Sequence, residues 1–128
     1  CDHGPSDTRN NDMADEIATV GELKQLVENF VSVRDWEQFH TPKNLSMAIS
    51  VEASELMEIF QWIGAEESRK VVDHPDKLGQ VEAEIADICI YAIRLAGVVG
   101  IDLETAIDQK IDQNIEKYPP SANRHWSF

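Results

Sequence analysis

Cysteine is scarce in this sequence, which contains only Cys1 and Cys89, far apart in the chain. A disulfide framework or a cysteine-rich zinc site needs more cysteines at closer spacing, so neither is expected. We therefore predict a protein of a reducing compartment, with the cytoplasm as the default location.

Long apolar runs are also missing. No stretch approaches the roughly 18 apolar residues that a membrane-spanning helix needs, and the start of the chain lacks the basic and apolar regions of a secretion signal. We expect no membrane partner.

Basic residues are few: 11 Lys and Arg stand against 24 Asp and Glu, and the formal net charge is −13. Binding to a nucleic acid polymer needs Lys and Arg to replace counterions, so that class of partner is not expected. A phosphorylated small molecule stays possible, because carboxylates can hold a phosphate through a shared divalent cation.

The chain has 128 residues, which fits one domain. Its start is polar and without hydrophobic periodicity, so residues 1–17 are predicted to be a flexible or artificial tail. Residues 18–120 form the predicted helical domain. Residues 121–128 form a C-terminal tail whose two aromatic residues, Trp126 and Phe128, are able to dock on the domain or on a partner.

Start and stop signals divide the domain into helices. The capping box Thr19–Glu22 opens the first helix, which ends near Val33 or resumes through residues 34–39. Thr41, followed by Pro42, opens a second helix that runs to about Ile63 and stops at Gly64.

Similar start and stop signals mark the helices in the second half of the domain. Residues 64–76 are charged and form a loop or a short helix. The third helix spans roughly residues 76–99 and stops at Gly100, while Asp102 caps a fourth helix that Pro119 and Pro120 end. No strand alternation or hairpin signal is present. Four helices of this length predict an all-α four-helix bundle.

Two pairs of acidic residues occupy positions where apolar side chains are expected. At about 100° per residue, Glu52 falls at the centre of the apolar stripe of the second helix, and Glu55 lies one turn further on at its edge. Glu84 and Asp87 border the apolar stripe of the third helix with the same i, i+3 spacing.

Four converging carboxylates would repel one another, and a buried carboxylate is costly unless it is paired or bound to a metal. A hard divalent cation such as Mg²⁺ removes the repulsion, since it prefers carboxylate oxygen and tolerates water and phosphate as further ligands. The pattern favours a metal site. The alternative is that both acidic pairs lie on a solvated helix face.

These residues belong to a set of motifs that resembles one family. Glu52-Ala-Ser-Glu55 followed by Glu84-Ile-Ala-Asp87 resembles the ExxE…ExxD signature of the all-α nucleotide pyrophosphatases, the MazG-like and dimeric dUTPase-like proteins. Within that family, the similarity is greatest to the dCTP pyrophosphatases. It extends over about residues 20–120 and includes Arg34–Leu45, Glu58–Trp62, Ile88–Tyr91 and the positions Lys110, Asn114, Lys117, Tyr118 and Pro119.

The resemblance implies a Mg²⁺-dependent hydrolase, with Mn²⁺ able to substitute, that converts (deoxy)nucleoside triphosphates to monophosphate and pyrophosphate in the cleansing of the dNTP pool. It implies that Glu52, Glu55, Glu84 and Asp87 are metal ligands. Glu55 is our first choice as the general base, although the sequence does not separate it from Glu52.

The resemblance also implies a set of substrate-binding residues. Aromatic side chains and a histidine would frame the base, and the remaining side chains would contact phosphate or sugar. One departure, Val27, stands near a position where dCTP-preferring relatives carry a pocket histidine, which leaves the preferred base open. The candidates are Trp36, Phe39, His40, Asn44, Trp62, Tyr91, Lys110, Asn114, Lys117 and Tyr118.

A homotetramer built from two dimers, with the nucleotide pocket near the subunit contacts, is the assembly that the resemblance implies. The main alternative function is a non-catalytic acidic helical module that binds other proteins. A carboxylate-bridged di-iron bundle is a weaker alternative, because no His follows either acidic pair at i+3. A related enzyme that cuts another pyrophosphate bond, such as that of a diphosphate nucleotide, is a third.

Overall fold

A computed structural model describes residues 18–120, and every regular element in that range is helical, which confirms the predicted all-α class. Residues 1–17 and 121–128, predicted to be tails, lie outside the described range. Two 3₁₀ helices, Glu37–Phe39 and Arg69–Asp73, lie in the connections. The five α-helices are α1 (Val20–Val33), α2 (Pro42–Phe60), α3 (Ala65–Ser68), α4 (Pro75–Val98) and α5 (Leu103–Lys117).

Side-chain caps start α1, α2 and α5 as predicted. The backbone N–H of Glu22 donates to Thr19 Oγ1 (3.0 Å), and the N–H of Thr19 donates to Glu22 Oε1 (2.9 Å), which completes the capping box of α1. The N–H of Asn44 donates to Thr41 Oγ1 (3.1 Å) at the start of α2. Asp102 caps α5 through its side chain.

Helix boundaries differ from the predictions by a few residues. α2 ends at Phe60, before the predicted Ile63, because the N–H of Ile63 donates to the Phe60 carbonyl (3.2 Å) in a tighter i+3 turn. α4 begins at Pro75 instead of Asp76, since proline at the first helical position gives up no helical hydrogen bond. The stretch between α2 and α4 contains α3 and a 3₁₀ helix, in agreement with the short-helix alternative.

α1 does not continue through residues 34–39. Asp35 adopts a φ of 56°, in the left-handed region that a right-handed helix excludes, and a 3₁₀ turn follows it. Gly100, with a φ of 77°, similarly follows the end of α4 and confirms the predicted stop. Both turns redirect the chain between long helices.

The main packing contact joins α2 to α4, and α1 also packs on α4. Glu52 of α2 lies beside Glu84 of α4, whereas His40, just before α2, lies beside Arg94. Residue numbers therefore rise in opposite directions along the two helices, which makes α2 and α4 an antiparallel pair.

The fully buried core is small within residues 18–120. Leu45 on α2, only 1% exposed, and Val31 on α1 are the most deeply buried side chains, and Val27 and Ala96 complete the buried set. Gly97 lets α1 approach α4, because a Cβ there would lie 3.2 Å from Glu28 Oε2. A core of four residues leaves much apolar surface uncovered.

α5 shows this most clearly. Its predicted apolar stripe is present, but Ile107, Ile111 and Ile115 are 47%, 51% and 60% exposed, and α5 makes only sparse contacts with the other helices. None of the described helices is both long and apolar enough to cross a membrane. The four long helices predicted are all present, with α1, α2 and α4 forming the packed unit.

We predict that Leu45→Ala lowers the free energy of unfolding by about 2–5 kcal/mol, because it leaves a cavity where the most deeply buried side chain of α2 lies. Urea unfolding at fixed protein concentration measures the loss. Leu23→Ala is the matched control, since Leu23 is 42% exposed. Equal losses for the two variants would contradict the assigned core.

Candidate metal centre

Three carboxylates come together on the seam between α2 and α4. Oxygens of Glu52, Glu55 and Glu84 all lie within 4.8 Å of one another. Three of the four predicted metal ligands therefore converge, although they come from positions about 30 residues apart in the sequence. No other group of His, Cys, Asp or Glu with this geometry occurs in residues 18–120.

Helix geometry explains the convergence. Glu52 and Glu55 are three residues apart on α2, so their side chains share one face. The antiparallel packing then brings Glu84 of α4 opposite that face. Glu52 and Glu84 are half-buried and Glu55 is exposed, so the cluster lies at the edge of the seam with one carboxylate open to solvent.

The electrostatics of the cluster are unfavourable without a cation. A hydrogen bond shared with Glu52, then burial, then the negative charges of Glu55 and Glu52 raise the pKa of Glu84 to about 7. With all three carboxylates ionised, Oε1 of Glu84 is buried and has no hydrogen-bond partner, because the bond to Glu52 forms only when one of the two groups carries a proton. The ion pairs that join described residues, Arg69–Glu66 and Lys70–Glu67, do not include the cluster.

These observations fit a divalent cation. Carboxylate oxygens are the donors that hard cations prefer, and an unpartnered buried oxygen aimed into a group of acids is a ready ligand. Water and phosphate oxygens would complete the coordination, since three protein ligands leave positions open. The cluster can therefore hold a cation and a phosphorylated molecule together.

Asp87 does not join the three glutamates. It lies one turn beyond Glu84 on α4 and is exposed. Because it follows Glu84 by one helical turn, its role as a fourth ligand stays a prediction.

The predicted base-binding aromatics are mostly accessible. Trp36 meets Phe30 edge-on, with ring centroids 5.5 Å apart and planes at 79°. Phe39 is exposed, and Trp62, just beyond α2, is 87% exposed. Tyr91 is half-buried on α4. A large apolar ring such as Trp62 is seldom left in water, which is consistent with a surface that stacks on a ligand or another chain.

Two of the polar candidates already have partners. Asn44 Nδ2 donates to the carbonyl of Phe39 (3.0 Å), which ties the preceding turn to the start of α2. His40 Nδ1 accepts a hydrogen bond from Arg94 Nε (3.1 Å). Sequence reasoning missed Arg94, and the only available signal was an isolated charge in the apolar run of α4.

The candidates on α5 are separate from the cluster. Lys110, Asn114, Lys117 and Tyr118 are exposed, and no hydrogen bond or ion pair among residues 18–120 links them to the carboxylates. Lys117 Nζ lies 5.4 Å from the centroid of the Tyr118 ring. Within one chain these side chains remain on the surface.

A cavity of about 440 Å³ lies elsewhere, between the start of α1, the end of α4 and the start of α5. Lys24, Asp102 and Glu104 are its charged lining residues. It includes none of the three clustered glutamates. The chemistry of the seam, not the size of this cavity, therefore identifies the candidate site.

The sequence resembles those of known proteins over most of its length. Residues 47–127 match the MazG-like family. The dCTP pyrophosphatase 1 of Rattus norvegicus is 36% identical over 106 residues, which cover 83% of this chain and 62% of that protein. The dCTP pyrophosphatase 1 of Homo sapiens is 37% identical over 101 residues, covering 79% of this chain and 59% of that protein. The chain thus spans less than two thirds of the length of these relatives.

A solved structure gives the same picture for the fold. The crystal structure of a pyrophosphatase from Archaeoglobus fulgidus superposes with a TM-score of 0.73 at 38% sequence identity. The match covers 84% of this chain and 99% of that one.

The raised pKa of Glu84 predicts a pH dependence of stability when no cation is bound. The folded protein keeps a proton on Glu84 that the unfolded chain releases near its ordinary pKa of 4.5. The stability from this group is therefore full below about pH 4.5 and is lost as pH rises through about 7. In EDTA, Glu84→Gln should unfold at a higher temperature than the unmutated protein at pH 7.5, but not at pH 5.

Thermal unfolding at both pH values measures this effect, with Glu82→Gln on the exposed face of α4 as the control. A divalent cation should replace the proton and stabilise the unmutated protein more at pH 7.5 than at pH 5. Parallel pH profiles for Glu84→Gln and the unmutated protein would contradict the strained cluster.

Proposed function

This chain belongs to the MazG-like family, and from that premise we propose that it is a Mg²⁺-dependent nucleoside triphosphate pyrophosphatase. Its substrates are (deoxy)nucleoside triphosphates, dCTP or another dNTP, and its products are the monophosphate and pyrophosphate. The observation that carries the proposal is the convergence of Glu52, Glu55 and Glu84, whose oxygens lie within 4.8 Å of one another.

Glu52, Glu55 and Glu84 would hold Mg²⁺, with Asp87 as a fourth ligand and Mn²⁺ as a substitute. When bound, the cation would neutralise the triphosphate, acidify a bound water and stabilise the leaving pyrophosphate. The donor set consists of carboxylate oxygen alone, which suits both metals better than it suits zinc.

Hydrolysis adds water across the anhydride bond between the α- and β-phosphates. An oxygen–phosphorus bond forms at the α-phosphorus, the bond to the bridging oxygen breaks, and one proton of the attacking water must be taken up. Glu55 is our choice for the proton acceptor, because it is exposed where Glu52 and Glu84 are half-buried. Water reaches it most easily.

The base would lie among the accessible aromatic side chains at one end of α2. Trp36 and Phe39 before its start, or Trp62 beyond its end, offer exposed rings for stacking, since the 19 residues of α2 separate the two groups by about 28 Å. His40 bonds to Arg94 of α4, and Tyr91 is half-buried on the same helix. The two relatives described above are named for dCTP, which makes a pyrimidine deoxynucleotide the first substrate to test. Removal of unwanted dNTPs in the cytoplasm is the corresponding cellular role.

We further propose a homotetramer, a dimer of dimers, in which the nucleotide pocket lies near the subunit contacts. The uncovered stripe of Ile107, Ile111 and Ile115 supports this assembly, because a solvated apolar stripe of this length on one helix is unfavourable. Assembly would also bring Lys110, Asn114 and Lys117 near the nucleotide bound by a neighbouring chain, whose phosphates they could contact.

Glu52→Gln should lower turnover by roughly a hundredfold or more, because it removes a charged metal ligand while keeping the shape of the side chain. Product analysis with a panel of NTPs and dNTPs, in Mg²⁺ and in EDTA, measures this. The unmutated protein should release monophosphate and pyrophosphate only with the metal. Glu58→Gln, exposed on α2, is the control.

Normal turnover by Glu52→Gln would remove the proposed metal centre. A folded protein that turns over none of the nucleotides would instead favour the non-catalytic interaction module.

Ile111→Asp should dissociate the tetramer, because it places a charge in the middle of the apolar stripe of α5. Sedimentation velocity measures the change. Gln113→Asp adds the same charge and the same helix penalty on the opposite face of α5 and should leave the assembly intact. A monomeric unmutated protein at every concentration would contradict the proposed assembly.

A further inference from the structure

The hydrogen bond between His40 and Arg94 is the longest-range polar contact in the described residues, joining positions 54 residues apart. Arg94 Nε donates to His40 Nδ1 at 3.1 Å, and both side chains are half-buried. Arg94 forms no ion pair with a carboxylate within residues 18–120. The guanidinium of an acidic protein is thus directed at an imidazole, not at an acid.

This contact fixes the protonation of the imidazole. An arginine is always protonated and can only donate, so His40 Nδ1 must be the acceptor and the imidazole proton must reside on Nε2. Burial, followed by the positive charge of Arg94, lowers the pKa of His40, while Glu37 partly opposes the shift. His40 is therefore a neutral hydrogen-bond donor through Nε2.

The pair lies at the opposite end of the same seam from the carboxylates. Ten residues of continuous helix separate Glu84 from Arg94, a rise of about 15 Å. That distance is comparable to the length of an extended nucleoside triphosphate. With phosphates at the carboxylates, the base end of the molecule would reach the turn before α2, where the backbone N–H of His40 is held by the Glu37 carbonyl (3.1 Å).

We propose that Arg94 is a positioning residue that locks His40 as the Nε2–H tautomer, so that His40 donates a hydrogen bond to an acceptor atom of the nucleobase. The inference rests on the proposed function, because it requires a nucleotide along the seam. A carbonyl oxygen or an unprotonated ring nitrogen satisfies the Nε2–H group. An exocyclic amino group directed at it does not, since two donors would then meet.

Arg94 therefore sets base preference without touching the substrate. Its removal frees His40 to exchange tautomers, and Nε2 of the imidazole is then unprotonated, and an acceptor, in part of the population.

Imidazole ¹⁵N spectra of the full chain test the first half of the proposal without any substrate. His40, assigned by comparison with His40→Phe, should show a protonated Nε2 and an unprotonated Nδ1 throughout the neutral range. Arg94→Met should produce mixed tautomers and a higher His40 pKa, whereas Arg69→Met, at an exposed arginine, should change neither. A protonated Nδ1 in the unmutated protein overturns the proposal.

A kinetic mutant cycle tests the second half. Arg94→Met should raise KM for the preferred nucleotide roughly five- to tenfold, with a smaller effect on kcat, and should reduce the discrimination between bases. In the His40→Phe background, Arg94→Met should have no further effect on KM, because Arg94 acts through His40.

Additive effects of the two substitutions, or an unchanged base ranking in an active Arg94→Met protein, would overturn the inference while leaving the proposed function in place. Absence of turnover by the unmutated protein would instead overturn the proposed function, and the nucleobase role with it.

Discussion

The mutual repulsion of three carboxylates on one helical seam is the constraint around which this domain is organised. α2 and α4 must pack closely to form a core, yet that packing brings Glu84 against Glu52 and Glu55 and raises its pKa to about 7. A sequence shaped for stability alone would place apolar residues there. The cost is tolerable if the seam binds a cation, whose binding free energy then adds to the stability of the folded state.

The antiparallel arrangement gives the seam two chemically different ends. The carboxylate end repels phosphate unless a cation intervenes, whereas the His40–Arg94 end is neutral at the imidazole and positive at the guanidinium. A nucleotide has the same polarity, with its charge at one end and its hydrogen-bonding base at the other. Glu84 and Arg94 stand on the same continuous helix, so the distance between the two ends along α4 is fixed by helix rise.

Local chemistry made much of this predictable from the sequence. The caps Thr19, Thr41 and Asp102 act within one helical turn, and the i, i+3 spacing of Glu52 and Glu55 follows from helix geometry alone. The helix ends were harder to predict from the sequence, because the i+3 turn at the end of α2 depends on how the following segment folds. The His40–Arg94 bond was missed altogether, since it joins residues that become neighbours only after α2 and α4 pack. Asp87 shows the converse limit: its spacing matches that of the glutamates, yet it does not join their cluster.

The uncovered apolar surface links stability to the location of the site. With only four buried apolar side chains among residues 18–120, the domain gains little from its own core, and α5 adds almost nothing to it within one chain. If a second copy covers the stripe of Ile107, Ile111 and Ile115, Lys110 is carried to the same boundary, because it lies three residues from Ile107 and such neighbours share a helix face. Positive charge, which the carboxylate end of the seam lacks, would then arrive with the contact that completes the core. A monomer would lack both, so loss of assembly and loss of phosphate binding should have a single physical origin.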